Sequence, residues 1–297
     1  MNIKYIFLLC TSLLVSLASC ADEFVGANKL LSESDTLNIA TYNIRLQTTA
    51  DKEERSWSNR KSQVAKLIYN HRFDVFGVQE IGSLAQENDL KDMLPAYDFY
   101  SKGRDNTEGT EGERLAVFYN KTRFTLLDKG SFFLSETPNV VSKGWDAALN
   151  RICLWVKLNN IVTGKSFYFF NTHFDHLGVK ARAESAKLIA SKINAITTGE
   201  VVFCVGDFNA SPSEIAVYNT IKAVLPDSRL ISESKPVGTI GTFNGWDVQA
   251  ISFAENVLID YIFCRNVSVY SYEVLNDKFV EKTYPSDHFP VLIKCKF

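Results

Sequence analysis

The residues from 36 onward alternate short apolar runs with polar turns, which is typical of a protein with many strands and few helices. Some runs alternate apolar and polar residues, as half-buried strands do, and others are continuously apolar, as fully buried strands are. The predicted strands are LNIATYNI (37–44), DVFGVQE (74–80), LAVFYN (115–120), FTLLDKGSFFL (124–134), RICLWVKL (151–158), SFYFFNTH (166–173), VVFCVGDF (201–208), LIDYIF (258–263), SVYSYEVL (268–275) and PVLIKCKF (290–297).

Helical spacing of apolar residues predicts fewer elements than strand alternation does. The predicted helices cover 59–71, 84–94, 179–196 and a segment that starts near Ser213. We expect Ser58 to cap the first helix and Pro95 to end the second, because proline cannot continue a helix.

One long polar segment interrupts this pattern. Residues 100–113 are rich in glycine and in charges of both signs, and they are expected to form a loop. The sequence shows no linker or internal repeat, so we interpret 36–297 as one domain. Many strands with sparse helices favour an α/β (α+β) fold in which two packed sheets form a β-sandwich flanked by helices.

The N-terminus has the layout of an export signal. Within 1–20, an apolar run too short to span a bilayer comfortably is followed by small residues and Cys20. The segment LASC resembles the lipobox of bacterial lipoproteins, in which the cysteine is acylated and becomes the mature N-terminus. The interpretation is a signal peptide at 1–19 and a lipidated tether at 20–35. The protein would then be exported and lipid-anchored to a bacterial cell membrane, at its periplasmic face or the cell surface. An ordinary cleaved signal with a chance cysteine is the alternative.

Composition excludes several classes of protein. The 297 residues include 21 Phe, 12 Tyr and 4 Trp, and so many aromatic side chains require a large core, which excludes global disorder. With 32 Lys and Arg against 34 Asp and Glu, the formal net charge is −2. This balance does not favour a strongly basic surface for nucleic acid.

Four cysteines lie inside apolar strand-like runs, apart from Cys10 and Cys20 in the N-terminal segment. They are Cys153, Cys204, Cys264 and Cys295. Buried cysteine is a common small hydrophobic residue, whereas an exported protein with four cysteines could also form two disulfides. We favour buried thiols, and the sequence leaves disulfide formation open. No CxxC pattern indicates a metal site.

Polar side chains stand where many of the predicted strands begin or end. They are Asn43, Gln79, Glu80, Asn171, His173, Asp175, Asp207, Asn209, Asp260, Asp287 and His288. Buried carboxylates need a partner, a metal or solvent. If one end of the sheets gathers these positions, the result is a pocket with carboxylate ligands, amide donors and imidazoles. Oxygen ligands without cysteine suit Mg²⁺, Mn²⁺ or Ca²⁺ better than zinc, and a cation beside such donors suits displacement at phosphorus.

The ordered set of these positions resembles the endonuclease/exonuclease/phosphatase superfamily. The matching blocks are TYNIR (41–45), DVFGVQE (74–80), NTHFDH (171–176), GDFNASP (206–212), LIDYIF (258–263) and SDHFPV (286–291). They extend over nearly all of the predicted domain and occur in the family's order. The resemblance implies the four-layer deoxyribonuclease-like fold.

The resemblance also implies a cation site and phosphate-binding residues. Glu80 would be the principal ligand of Mg²⁺ or Mn²⁺, with Asn43 beside it contacting the metal or phosphate. Asp287 would approach a second metal in some settings. Arg151 would clamp the phosphate. For Asp175 a structural hydrogen-bonding role is as good an interpretation as a functional one.

The remaining roles that the resemblance implies are catalytic. Asp207 would orient or deprotonate the attacking water, and Asn209 would hold a phosphoryl oxygen. His288 would contact the scissile phosphate, with Asp260 fixing its tautomer. His173 would stabilise the transition state or assist the leaving group.

We therefore expect a divalent-metal-dependent hydrolase of phosphoester bonds, with a phosphodiesterase or nuclease as the preferred interpretation. The substrate would be a nucleic acid, a phospholipid headgroup or a small phosphate ester. One alternative is a phosphomonoesterase that acts on sugar phosphates or lipid headgroups, and another is a lipoprotein binding module without turnover. A monomer is expected, since no extended apolar helix face is evident.

Overall fold

Two mixed β-sheets pack face to face because the continuously apolar strands bury side chains on both of their surfaces. The computed structural model describes residues 36–247, 254–279 and 283–297. The strands are β1 (Leu37–Asn43), β2 (Val75–Ile81), β3 (Tyr97–Gly103), β4 (Arg114–Asn120), β5 (Phe124–Phe133), β6 (Ile152–Asn160), β7 (Ser166–His173), β8 (Val201–Asp207), β9 (Val237–Gly238), β10 (Asp260–Arg265), β11 (Ser268–Val274) and β12 (Val291–Lys296).

The strands divide into a seven-stranded and a five-stranded sheet. The seven-stranded sheet has the order β3-β4-β2-β1-β12-β11-β9, and the five-stranded sheet has the order β10-β8-β7-β6-β5. The pairs β1/β2, β7/β8 and β9/β11 are parallel, and the other neighbours are antiparallel. Parallel neighbours end at the same edge of a sheet, and this arrangement later decides where the site lies.

Helices cover both outer faces of the sandwich. They are α1 (Trp57–Asn70), α2 (Leu84–Met93), α3 (Val179–Ile196), α4 (Ile215–Lys222) and α5 (Ser228–Ile231), and short 3₁₀ turns lie at Glu53–Arg55 and Glu255–Val257. One apolar core lies between the sheets, a second joins α1 and α2 to the seven-stranded sheet, and a third joins α3 and α4 to the five-stranded sheet. The predicted helix-flanked sandwich of two sheets is thus confirmed.

The boundaries differ from the sequence prediction in a few places. The first helix begins at Trp57 with Ser56 at its N-cap, so Ser58 lies inside the helix and does not cap it. β3 runs to Gly103, so the segment predicted as a loop over 100–113 begins as a strand. This strand was not predicted because several of its residues are polar. Polar residues fit there because β3 lies at a sheet edge, where solvent reaches it.

The four cysteines of the domain are buried free thiols, as favoured above. The predicted signal peptide and the tether with Cys20 lie outside the described residues. Among the helices of the described ranges, none is long and apolar enough to cross a membrane.

Candidate active site

Strand β8 organises the site from the five-stranded sheet. Its last residue, Asp207, is paired in register with His173 at the end of β7 and with Asp260 at the start of β10. β7 runs parallel to β8 and β10 runs antiparallel to it. The end of one strand therefore meets the end or the start of its neighbours. Three side chains that were predicted separately form one row at the edge of this sheet.

The seven-stranded sheet supplies the groups that face this row. Asn43 ends β1 and Glu80 is the penultimate residue of β2, and parallel pairing brings both to the same edge. The side-chain nitrogen Nδ2 of Asn43 donates to Glu80 Oε1 and to Asp207 Oδ2, at 3.0 Å in each case. The two carboxylates, one from each sheet, therefore converge on a single point.

His288 and Asp260 form a buried pair beside that point. His288 Nδ1 lies 2.9 Å from Asp260 Oδ2, and His288 Nε2 lies 3.8 Å from Asp207 Oδ2. Burial by itself would lower the pKa of His288, but the carboxylates of Asp260, Asp207 and Asp287 outweigh burial and raise this pKa well above its usual value. The ring is therefore favoured as an imidazolium, which donates through both nitrogens.

A second imidazole–carboxylate pair lies on the other side of Asp207. His173 Nδ1 is 3.2 Å from Glu113 Oε1, and His173 Nε2 is 3.5 Å from Asp207 Oδ2. Asp207 thus stands between two imidazoles, each of which is held by its own carboxylate. Both Nε2 distances exceed an ordinary hydrogen bond.

Glu113 was not among the predicted site residues, because it is the last residue of the glycine-rich segment 100–113, which resembles a solvated loop. The signal that could have found it is its position directly before the buried strand β4. Arg104 Nη1 lies 2.9 Å from Glu113 Oε1, and Arg151 Nη1 lies 3.8 Å from the same oxygen. Burial alone would raise the pKa of Glu113, but His173 and the two guanidinium groups lower it to about 2.

Asn209 and Asp287 both lie close to the central residues. The backbone N–H of Asn209 donates to Asp207 Oδ1 at 2.8 Å, and its side-chain Nδ2 donates to the carbonyl of Phe174 at 3.0 Å. Asp287 lies 3.8 Å from Arg45 Nη1. Burial, and then the charge of Glu80, raise the pKa of Asp287, whereas His288 and Arg45 act in the opposite direction.

Arg151 is buried in a network of charges at the rim. Its Nε lies 3.5 Å from Asp175 Oδ2, and its Nη2 lies 3.2 Å from His176 Nδ1. Its Nη1 makes no hydrogen bond to the described residues. Arg151 lines a small cavity together with Arg104, Glu113 and His173. Asp175 accepts backbone N–H groups that shape the surrounding loops, from Ala148, Leu149, Leu177 and Gly178. These contacts favour the structural interpretation of Asp175.

Two groups of side chains in the described part of the chain bring potential metal-ligating atoms within 4.8 Å of one another. One group is Glu80, His173 and Asp207, and the other is Asp207, Asp260 and His288. Asp287 belongs to neither group. Asn43 meets the carboxylates through its amide nitrogen, so its oxygen accepts the backbone N–H of Arg45 instead.

Comparison with known proteins agrees with this geometry. A family model described as the endonuclease/exonuclease/phosphatase family matches residues 40–288. A solved structure described as a mannosyl-6-phosphatase of Bacteroides thetaiotaomicron is 39% identical, with a TM-score of 0.81, and covers 88% of this chain and 100% of that chain. A second structure from the same organism, described as an endonuclease/exonuclease/phosphatase family protein, is also 39% identical with a TM-score of 0.81 and covers 88% and 94% of the two chains. An uncharacterised protein of Acanthamoeba polyphaga mimivirus is 27% identical over 80% of this chain and 91% of its own length.

Proposed function

Because the chain belongs to the endonuclease/exonuclease/phosphatase family, we propose that it is a divalent-metal-dependent phosphoester hydrolase whose substrates are phosphomonoesters of small sugars. One observation carries the hydrolase assignment. Asp207 lies between two imidazole–carboxylate pairs, with Glu80 within reach of the same point. Such an arrangement surrounds a reacting phosphate with a base, two imidazole donors and a cation site.

The residues present fit a divalent cation. The carboxylates of Glu80 and Asp207 converge on the amide N–H of Asn43, which is a weak positive partner for two negative charges. In our proposal Glu80 is the principal ligand of Mg²⁺ or Mn²⁺, and Asn43 and Asp287 would lie beside the cation. When bound, the cation supplies positive charge to the phosphoryl oxygens.

The protein side chains supply the remaining steps. Asp207 accepts a proton from the attacking water, and the imidazolium of His288 donates from Nε2 to a phosphoryl oxygen, while Asp260 holds its Nδ1. His173 donates a proton from Nε2 to the leaving oxygen, while Glu113 holds its Nδ1. Asn209 orients Asp207 through its backbone N–H and contributes its amide to the phosphate.

The choice of monoester over diester depends on one relative. The Bacteroides thetaiotaomicron protein described as a mannosyl-6-phosphatase is 39% identical to this chain, and the match covers 88% of this chain and 100% of that one. The formal net charge of −2 agrees, since a nuclease needs basic side chains along a phosphate backbone. We therefore prefer the phosphomonoesterase alternative over the phosphodiesterase or nuclease expected from the sequence.

A substrate panel tests the proposal. We expect release of phosphate from mannose 6-phosphate and p-nitrophenyl phosphate with Mg²⁺ or Mn²⁺. We expect no turnover with chelator and far slower turnover of bis-p-nitrophenyl phosphate. Glu80→Gln should abolish activity, whereas Glu54→Gln, a matched change at an exposed glutamate, should leave it unchanged. Faster cleavage of the diester or of plasmid DNA would overturn the monoester assignment, and turnover of neither ester would favour a binding module.

Export, lipid attachment at Cys20 and the monomeric state belong to the same proposal. Labelling of expressing cells with a radioactive fatty acid should mark the wild-type protein and spare Cys20→Ala. An unlabelled wild-type protein would refute the anchor.

A mass near 33.4 kDa, less any cleaved segment, is expected from light scattering if the protein is a monomer.

A further inference from the structure

Glu80 has a backbone conformation that L-residues rarely adopt. Its φ is 61°, in the left-handed region, which a side chain with a Cβ avoids unless the surroundings impose it. The residue lies in a β-bulge, where the register between β2 and β4 shifts between Val78 and Ile81. Bulges re-aim a side chain, and here the Glu80 carboxylate reaches Asn43.

A buried side chain from the opposite sheet contacts the bulge. Asn171, on β7, donates from Nδ2 to the carbonyl oxygens of Val78 at 3.0 Å and Ala116 at 2.8 Å. Val78 and Ala116 are register partners on β2 and β4, immediately before the shift. Asn171 therefore joins both strands at the point where their regular pairing stops.

The same amide also holds the residue before Glu80. Its Oδ1 accepts from Gln79 Nε2 at 2.7 Å, and Gln79 Nε2 donates in addition to Thr41 Oγ1 at 3.0 Å. Asn171, Gln79 and Thr41 are completely buried. Removal of one partner in such a network leaves polar atoms without a substitute from solvent.

Gly77 leaves space that the Asn171 amide and the side chain of Val205 share. A Cβ at Gly77 would lie 2.7 Å from Cγ and Oδ1 of Asn171 and from Cγ2 of Val205, closer than real Cβ contacts. The φ of Gly77 is not positive, so space and not backbone freedom explains the glycine. The bulge at Glu80, the amide that bridges β2 and β4 beside it and the space left at Gly77 therefore lie together.

We propose that Asn171 is a positioning residue that holds the bulge of β2 and thereby aims Glu80 at the cation. This inference rests on the proposed function for the identity of the site, and it assigns a role in cation affinity to a residue that does not touch the site. Loss of the Asn171 amide should let the backbone at Glu80 relax out of its left-handed conformation, so that the carboxylate no longer converges with Asp207.

Binding of Mn²⁺ to the full chain without substrate tests the proposal, measured by electron paramagnetic resonance or calorimetry. Asn171→Ala should weaken Mn²⁺ binding about 10–100-fold, which is typical of residues that orient metal ligands. The matched control is Asn160→Ala. Asn160 is also buried and accepts the backbone N–H groups of Val162 and Thr163, at the far end of the same sheet. The control should lower the melting temperature and leave the Mn²⁺ dissociation constant unchanged.

A second variant displaces the amide without removing it. Gly77→Ala should push both Asn171 and Val205 aside and, through Asn171, weaken Mn²⁺ binding in the same direction, and it replaces Asn171→Ala if that variant fails to fold. A folded Asn171→Ala or Gly77→Ala protein that binds Mn²⁺ as tightly as the wild type overturns this inference and leaves the proposed function intact. A wild-type protein that binds no Mn²⁺ overturns the proposed function itself.

Discussion

The two imidazole–carboxylate pairs beside Asp207 have the same outline and different surroundings. In each pair Nδ1 of the histidine meets the carboxylate and Nε2 faces Asp207. Among the ion pairs of the described residues, Asp260 has His288 alone, whereas Glu113 shares one oxygen among His173, Arg104 and Arg151.

This difference determines what each carboxylate does for its histidine. Asp260 is the foremost of the carboxylates that raise the pKa of the His288 imidazole well above its usual value, against the opposing effect of burial. Against the effect of burial, His173 and then the guanidinium groups of Arg104 and Arg151 lower the pKa of Glu113 to about 2. The Asp260–His288 pair therefore keeps the imidazole of His288 protonated. The Glu113–His173 pair keeps Glu113 ionised, so that this carboxylate fixes the orientation of the His173 ring.

The largest effect is expected when the Asp260–His288 pair is broken. Asp260→Asn should lower kcat about 10³-fold, because His288 loses the largest of the charges that keep it protonated. The pKa of His288 would fall toward its ordinary value, so the donor would be lost at a lower pH than in the wild type. The defect in kcat/KM should thus be larger at pH 8 than at pH 6, as a pH–rate profile would record.

The control for this variant is Asp92→Asn, at an exposed carboxylate, which should leave the profile unchanged. An Asp260→Asn protein with the same defect at pH 6 and pH 8 would show that the charge of Asp260 is not what His288 requires.

A smaller effect is expected from the second pair. Glu113→Gln should lower kcat about 10²-fold with little change in KM, because His173 keeps its place but loses a charged partner. Glu111→Gln, two residues away and exposed, should behave as the wild type in the same steady-state assay. A loss larger than that of Asp260→Asn would reverse the ranking of the two pairs.

Much of the fold and most of this site were predictable from the sequence. Most strands follow from alternating or continuous apolar runs. Asp207, Asp260 and His288 interrupt or flank such runs, which singled them out, and the family resemblance supplied their roles. Buried free thiols were favoured for the same reason, since each cysteine lies among apolar neighbours.

What could not be predicted depends on contacts between distant segments. Glu113 and Arg104 both lie in a polar stretch of the sequence. They become partners only because β3 pairs with β4 and brings the two residues together. The left-handed backbone of Glu80 likewise results from a register shift between β2 and β4. The residue pattern of a single strand does not show in which register that strand pairs with its neighbour.

The smallest effect is expected at Arg104, and it separates charge from placement in the Glu113 pair. Arg104→Gln removes one of the charges that lower the pKa of Glu113, so this pKa should rise from about 2 toward its ordinary value of 4.5. A carboxylate with a depressed pKa stabilises the fold above its unfolded value, and this contribution is lost as pH falls through its folded value. The variant should therefore begin to unfold at a higher pH during acid titration followed by tryptophan fluorescence, with kcat at neutral pH reduced less than tenfold. Lys121→Gln, at an exposed lysine, should keep the wild-type acid transition. If Arg104→Gln also kept that transition, Arg151 and His173 alone would suffice to hold Glu113 ionised, and the contrast between the two pairs would depend on Arg151.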